Sequence, residues 1–199
     1  MTYSFDELTP RSRIAVAGRI AYPELTQLNE RGFYACTFIM QPGTEDLERL
    51  KQLLQLNVRE TFGSDQLPAG AHNPLRDANE RKGDGYAFKH EGFRVEGGKV
   101  FRCKSKFEVQ TFATPRRTPC NAGDIRGGDE CVIEVGVYGY NKQSSGVAIS
   151  LSSVWLINPG TVRIERGGAA GGSFANYDVS KLNFKEPAPS ADPEQGAFI

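Results

Sequence analysis

A small antiparallel β-barrel with one amphipathic helix is the fold class that three features of this 199-residue sequence predict. Five or more stretches alternate apolar and polar residues with a period of two, the pattern of strands with one buried and one wet face. A single stretch carries a helical apolar stripe, and it falls between the early and the late strands. The connections are rich in Gly, Pro, Asn and Asp, which punctuate strands. A β-sandwich is the other architecture of this class, though sandwiches rarely need a long amphipathic helix.

The first alternating run is Ser12 to Ile20. Ile14, Val16 and Ile20 lie on one face, and Arg13, Ala15, Ala17 and Arg19 on the other, so the wet face is basic. Pro23 is expected to end this strand, because proline cannot donate to a ladder. Gly32 to Met40, GFYACTFIM, is apolar on both faces and reads as a central strand. Gln41-Pro42-Gly43 breaks it, and Thr44 is placed to cap a helix whose first turn holds Glu45 and Asp46. Leu47, Leu50, Leu53, Leu54 and Val58 supply the stripe, and Gly63 stops the helix.

Ser64 to Gly85 is polar and reads as a long loop, a length that is usually functional or disordered. Tyr86 to Val95 then reads as a strand, with Gly97-Gly98 as a hairpin turn. Next comes Lys99 to Phe112, KVFRCKSKFEVQTF. Phe101, Cys103, Ser105, Phe107 and Val109 share one face; Arg102, Lys104, Lys106, Glu108 and Gln110 share the other. Thr114 to Asp129 is irregular. Cys131 to Asn141 points Cys131, Ile133, Val135 and Val137 inward and Glu134, Gly136, Tyr138 and Tyr140 outward. In Gly146 to Ile157 the phase slips at Ser152-Ser153, as a β-bulge would cause. Residues 166–172 are glycine-rich, and the end, KEPAPSADPEQGAFI, reads as a disordered tail. The chain therefore divides into a barrel over residues 1–184 and a mildly acidic flexible tail over 185–199. Among small barrels, the OB-fold uses its face and loops to bind oligonucleotides.

Charge is the informative part of the composition. Lys and Arg number 24, as do Asp and Glu, so the net charge is zero. Yet Lys99, Arg102, Lys104, Lys106, Arg116 and Arg117 face only Glu108 within one short stretch. The last fourteen residues carry Glu186, Asp192 and Glu194 and no cation. A basic centre and an acidic tail suggest a polyanion ligand and a tail that competes for its site or seeks partners. Like-facing residues on a strand are spaced about 6–7 Å apart, close to the spacing of phosphates along a single nucleic-acid strand. The other reading of the basic strand is a solvated edge kept soluble by its lysines.

Single-strand binding without sequence preference requires cations along a groove and aromatic faces for the bases. Lys99, Arg102, Lys104 and Lys106 are the candidate cations of the basic strand, with Arg13 and Arg19 second. Tyr138 and Tyr140 are the candidate stacking rings, or else ordinary cross-strand pairs. Tyr86 and Phe88 follow a loop and either close over a strand or anchor the loop in the core. Trp155 reads as core, and Phe101 and Phe107 as inward-facing. Cys36, Cys103, Cys120 and Cys131 form no C-x-x-C pair. With only His72 and His90 beside them they give little sign of a metal, so no cofactor is expected. Three of the cysteines fall in strands as small buried hydrophobes, reduced in a reducing compartment. No signal peptide and no membrane-length apolar run is read. Asp77, Glu80 and Asp84 could hold Mg²⁺ in a nuclease, but they alternate with Arg76, Arg81 and Lys82 as solvated charge does. A structural or protein-interaction component is the third class.

The order and spacing of several stretches resemble a known family. These are His72-Asn73-Pro74-Leu75-Arg76-Asp77, Tyr86, the KVFRCKSK run, Val137 to Ile157, and the glycine-rich segment ending at Phe174. The sequence resembles the phage single-stranded DNA-binding proteins catalogued as a domain of unknown function (DUF2815), distantly akin to the T7-type phage protein. The resemblance implies an OB-fold that coats single strands during phage replication or recombination in the cytoplasm of the infected host. It implies single-stranded DNA as partner. Duplex DNA or RNA is a further candidate from the residues themselves, since phosphate contacts on a basic strand are largely indifferent to base and sugar. The resemblance also implies an acidic C-terminal tail; three side-chain carboxylates make this one only mildly acidic. Its hydrophobic end, Gly-Ala-Phe-Ile behind spaced carboxylates, could dock in a basic pocket on a replication protein or cover the chain's own DNA groove, the other reading being a plain solubilising terminus.

Overall fold

The computed structural model describes residues 7–115 and 117–164. They fall within one compact unit, Met1–Arg166. The proposed boundary at residue 184, the glycine-rich segment and the tail lie outside the described residues. The strands are β1 (Arg13–Glu24), β2 (Tyr34–Met40), β3 (Arg76–Asp77), β4 (Arg81–Lys82), β5 (Gly85–Tyr86), β6 (Lys99–Ser105), β7 (Gln110–Ala113), β8 (Thr118–Pro119), β9 (Glu130–Asn141) and β10 (Ser145–Asn158). The helix α1 spans Glu45–Phe62 between β2 and β3.

Five strands close a barrel in the order β6-β2-β1-β9-β10, with β10 returning to β6. Every step is antiparallel except the last, where Ile149 pairs with Cys103 and Ser150 with Lys104 in parallel. First strand beside second and fourth, and third beside fifth, is the five-strand OB arrangement. Closure removes the unpaired edges an open sheet would expose. Past the closure, β7 runs parallel to β10 and β8 pairs with β7, while β3 adds to β6.

The alternation read from the sequence decides what fills the barrel. Val16, Ile20, Phe38, Phe101, Cys103, Ile133, Ile149 and Val154 are all buried there. The α1 stripe Leu47, Leu50, Leu53, Leu54 and Val58 packs on the same core. Thr44 caps the helix, its hydroxyl accepting from the Leu47 N–H, and Gly63 ends it at φ 64°, a left-handed conformation that glycine adopts without strain. A Cβ at Gly139 would overlap Thr61, so the missing side chain lets helix and barrel meet. The thiols of Cys36 and Cys103 lie 3.3 Å apart across β2 and β6, and their hydrogen bond and burial hold the Cys36 thiol well above its ordinary pKa. They behave as apolar core groups, as does buried Cys131.

Four local readings are corrected. The first strand does not stop at Pro23 but runs to Glu24 through an irregularity, where Tyr22 takes φ 47° and the register shifts. Segment 86–95 is not a strand: after β5 it holds only a 3₁₀ turn at Glu91–Phe93, so no hairpin leads into β6. The long loop before it carries the short β3, β4 and β5. The basic strand ends at Ser105 and turns before β7. The bulge stands where the phase slip put it, between Leu151 and Ser153.

A second, smaller core covers part of the barrel's outer surface. Ala21, Ile39 and Val100 from β1, β2 and β6 are buried there with Ala78, Phe93 and Ile164. This is why β2 reads as apolar on both faces. No helix among the described residues is long and apolar enough to cross a membrane.

Candidate nucleic-acid interface

Strand β6 is the third strand of the barrel, and its outward residues alternate in environment. Val100 lies under the second core, whereas Arg102 and Lys104 emerge beyond it. The Arg102 side chain is half exposed, and its Nη2 sits 2.8 Å from Glu24 Oε2. Glu24 also accepts from Asn29 Nδ2 at 2.7 Å, so the carboxylate ties the β1–β2 loop to the basic strand. That loop and β6 border an open cleft of about 540 Å³ lined by Arg31 and Arg102 together with Glu24 and Glu30. Lys104 lays its ammonium 4.6 Å from the centre of the Phe33 ring, a cation–π contact that leaves the charge at the surface. The face of the second and third strands with the first loop is where OB barrels take oligonucleotides.

Lys106 and Phe107 follow in the turn. The Ser105 hydroxyl accepts from the Phe107 N–H at 3.1 Å, a local bond that ends the ladder. Phe107, assigned inward by the alternation, is 82% exposed. The alternation fails because the strand stops at Ser105; Val109 resumes the core two residues later. The available signal was Ser105 itself, a residue that competes with ladders for the backbone.

The other candidates do not all share this face. Lys99 has the parity of Phe101 and lies at the helix end of the barrel, paired with Asp77 at 3.6 Å, beside Lys51 and Leu54 of α1. It is not part of the Arg102–Lys104 surface. Arg19 pairs with Ile39 and Glu130 and borders an apolar groove with Val95 and Val132, separated from Arg102 by the second core. Phe88 stacks on Phe93 at 5.0 Å within that core, with Arg76 over its ring, so it anchors the loop. Tyr86 holds two guanidiniums, Arg81 and Arg94, 4.6 and 4.5 Å from its ring centre. Trp155 is half-buried on β10 opposite Val132, its indole N–H without an acceptor.

Tyr138 and Tyr140 stand on the outer face of β9, their ring centres 6.5 Å apart. Tyr138 is 41% exposed, and partial burial, with Tyr140 beside it, raises its phenol above the ordinary pKa. Strand β10 lies between these rings and β6. A strip of small residues joins the two surfaces: Lys104 registers with Ser150, Ser150 with Gly136, and Gly136 with Arg13. Three strand spacings make the strip about 14 Å long. It has a cation at each end and Tyr138 beside Gly136, so Arg13 joins the tyrosines rather than the β6 cations.

Two of the three carboxylates weighed for metal are engaged otherwise. Asp77 pairs with Lys99 and Glu80 with Arg76. Among the described residues no group of three His, Cys, Asp or Glu is placed to hold a metal ion.

No protein-family model matches the sequence, and no curated protein matches it significantly. Solved structures do share the fold. The single-stranded DNA-binding protein from bacteriophage Enc34 superposes with a TM-score of 0.62 at 15% identity, over 85% of this chain and 88% of that one. The same protein in complex with single-stranded DNA gives 0.61 at 16% identity, over 74% and 86%. The single-stranded DNA-binding protein gp2.5 of bacteriophage T7 gives 0.52 at 13% identity, over 88% and 100%. The barrel expected from the alternation, and the phage fold implied by the resemblance, are both found.

Proposed function

We propose that this chain is a non-enzymatic protein that binds single-stranded DNA with little sequence preference, coating it during phage replication or recombination in the cytoplasm of the infected bacterium. One observation carries the reading. Arg102 and Lys104 emerge from the third strand of a closed OB barrel beside the cleft of the first loop, with Lys106 next in the turn. The fold shared with phage proteins that bind single-stranded DNA, one of them solved with that ligand, supports it.

In this reading the three cations neutralise phosphates, and Tyr138 and Tyr140 receive bases from a strand crossing the Lys104–Ser150–Gly136–Arg13 strip. Phosphate contacts are indifferent to base and sugar, so duplex DNA binds too, but more weakly, since its bases are already stacked. The test is fluorescence anisotropy with a labelled single strand and a matched duplex across a salt series. The expected result is preference for the single strand, with a log–log salt slope of about −0.7 per phosphate neutralised. Absence of binding at low salt overturns the reading in favour of a structural or protein-interaction role.

The tail enters as a competitor and as a handle for replication proteins. Glu186, Asp192 and Glu194 precede Phe198 and Ile199. Deleting residues 186–199 is expected to tighten single-strand binding at low salt, because the carboxylates no longer compete with phosphate. Unchanged affinity at low salt removes the competition.

A further inference from the structure

Phe107 is an anomaly for a barrel of this size. Its ring is 82% exposed, while Val109 is buried, so the turn supplies the core without using the phenylalanine. The Ser105 bond to the Phe107 N–H holds that turn in place. Phe33, just ahead of β2, already has the Lys104 ammonium against its ring. Among the described residues, the exposed large aromatics are Phe107 and Tyr138. Tyr138 is two residues along β9 from Gly136 of the strip, and Phe107 lies three residues past Lys104, in the turn that ends β6. Three residues of chain span at most about 10 Å, so the backbone of Phe107 lies within that distance of Lys104, and Lys106 is its chain neighbour.

We infer that Phe107 is a base-stacking residue of the interface, taking one unpaired nucleobase on its exposed face while Lys104 and Lys106 hold the adjoining phosphates. This rests on the single-strand reading above and adds to it the residue that favours unpaired bases at the β6 end. A solvated ring in a turn that follows Lys104 and Lys106 in the chain fits a ligand that is anionic along its backbone and flat and apolar at its bases. An apolar protein surface would gain nothing from the lysines. A duplex keeps its bases stacked and offers the ring no face.

The test uses the full chain and two ligands of equal length and charge, an oligothymidylate and an abasic oligonucleotide. Phe107→Ala is expected to weaken oligothymidylate binding about 5- to 150-fold, the range for loss of one stacked base. Abasic binding and the salt slope should stay at the wild-type values, and Phe107→Trp should restore oligothymidylate affinity. A melting curve unchanged by Phe107→Ala confirms an intact barrel. Equal weakening on both ligands overturns the inference, because the ring would then act through the turn. Unchanged oligothymidylate binding by Phe107→Ala also overturns it, and would leave the ring to self-association or a protein partner while single-strand binding stands. If the wild-type chain binds neither ligand at low salt, the function proposed above falls as well.

Discussion

Phe38→Ala is expected to lower the stability of the barrel by about 3–5 kcal/mol, the usual cost of emptying a buried phenylalanine site. Phe38 is fully buried at the centre of β2, its ring 5.8 Å from that of Phe101 on the neighbouring strand. Its walls come from strands on several sides of a closed ring. Closure limits how far they can collapse into the space, which puts the cost at the upper part of the range. For a domain of this size each kcal/mol lowers the melting temperature by about 2–4 °C, so a fall of roughly 6–20 °C follows. Urea unfolding followed by circular dichroism measures it. A loss below about 1 kcal/mol would show that the Phe38–Phe101 pair is not the centre of the core.

The second large effect concerns binding. Lys104→Glu with Lys106→Glu is expected to weaken single-stranded DNA affinity about 10- to 100-fold near 0.1 M salt. Two attractions of about 1 kcal/mol each become repulsions, reduced by screening. The salt slope should flatten by about 1.4, because two phosphates are no longer neutralised. Stability should change by no more than about 1 kcal/mol, the value of the Lys104–Phe33 contact, since Lys106 lies exposed in the turn. Anisotropy across a salt series gives affinity and slope together. If both stay at wild-type values in a folded double variant, the groove does not run along β6.

These two variants separate what the sequence shows easily from what it shows poorly. Phe38 lies in an unmistakable strand, and its burial follows from a run that is apolar on both faces. A period of two placed Ile14, Val16, Cys103, Ile133 and Val135 inward, and it located the bulge at Ser152-Ser153, because a one-residue slip is visible as a change of phase. The helix was legible from Thr44 to Gly63 for a similar reason: cap, stripe and stop all act within a turn or two of the chain.

The interface was legible only in part. Arg102 and Lys104 project outward as the alternation required. Whether an outward residue meets solvent is a separate question. Val100 has the same parity as Arg102 yet is buried, because Phe93 and Ile164 fold back over it from distant parts of the chain. Phe88 is an anchor for the same reason. Tyr138 and Tyr140 point outward as the alternation required, but β10 stands between them and the β6 cations, a separation set by strand order.

By itself the sequence determined which residues line the barrel, where the helix begins and ends, and that the third long strand carries outward cations. All of these are local periodicities, and burial of one face writes them into neighbouring residues. Only the tertiary structure decided that β10 closes on β6, that a second core takes Val100 out of the outer face, that Lys99 belongs to the helix end, and that Phe107 stands in solvent. Those depend on segments far apart in the chain meeting one another, and on one serine hydroxyl ending a ladder that hydrophobic period alone would have continued.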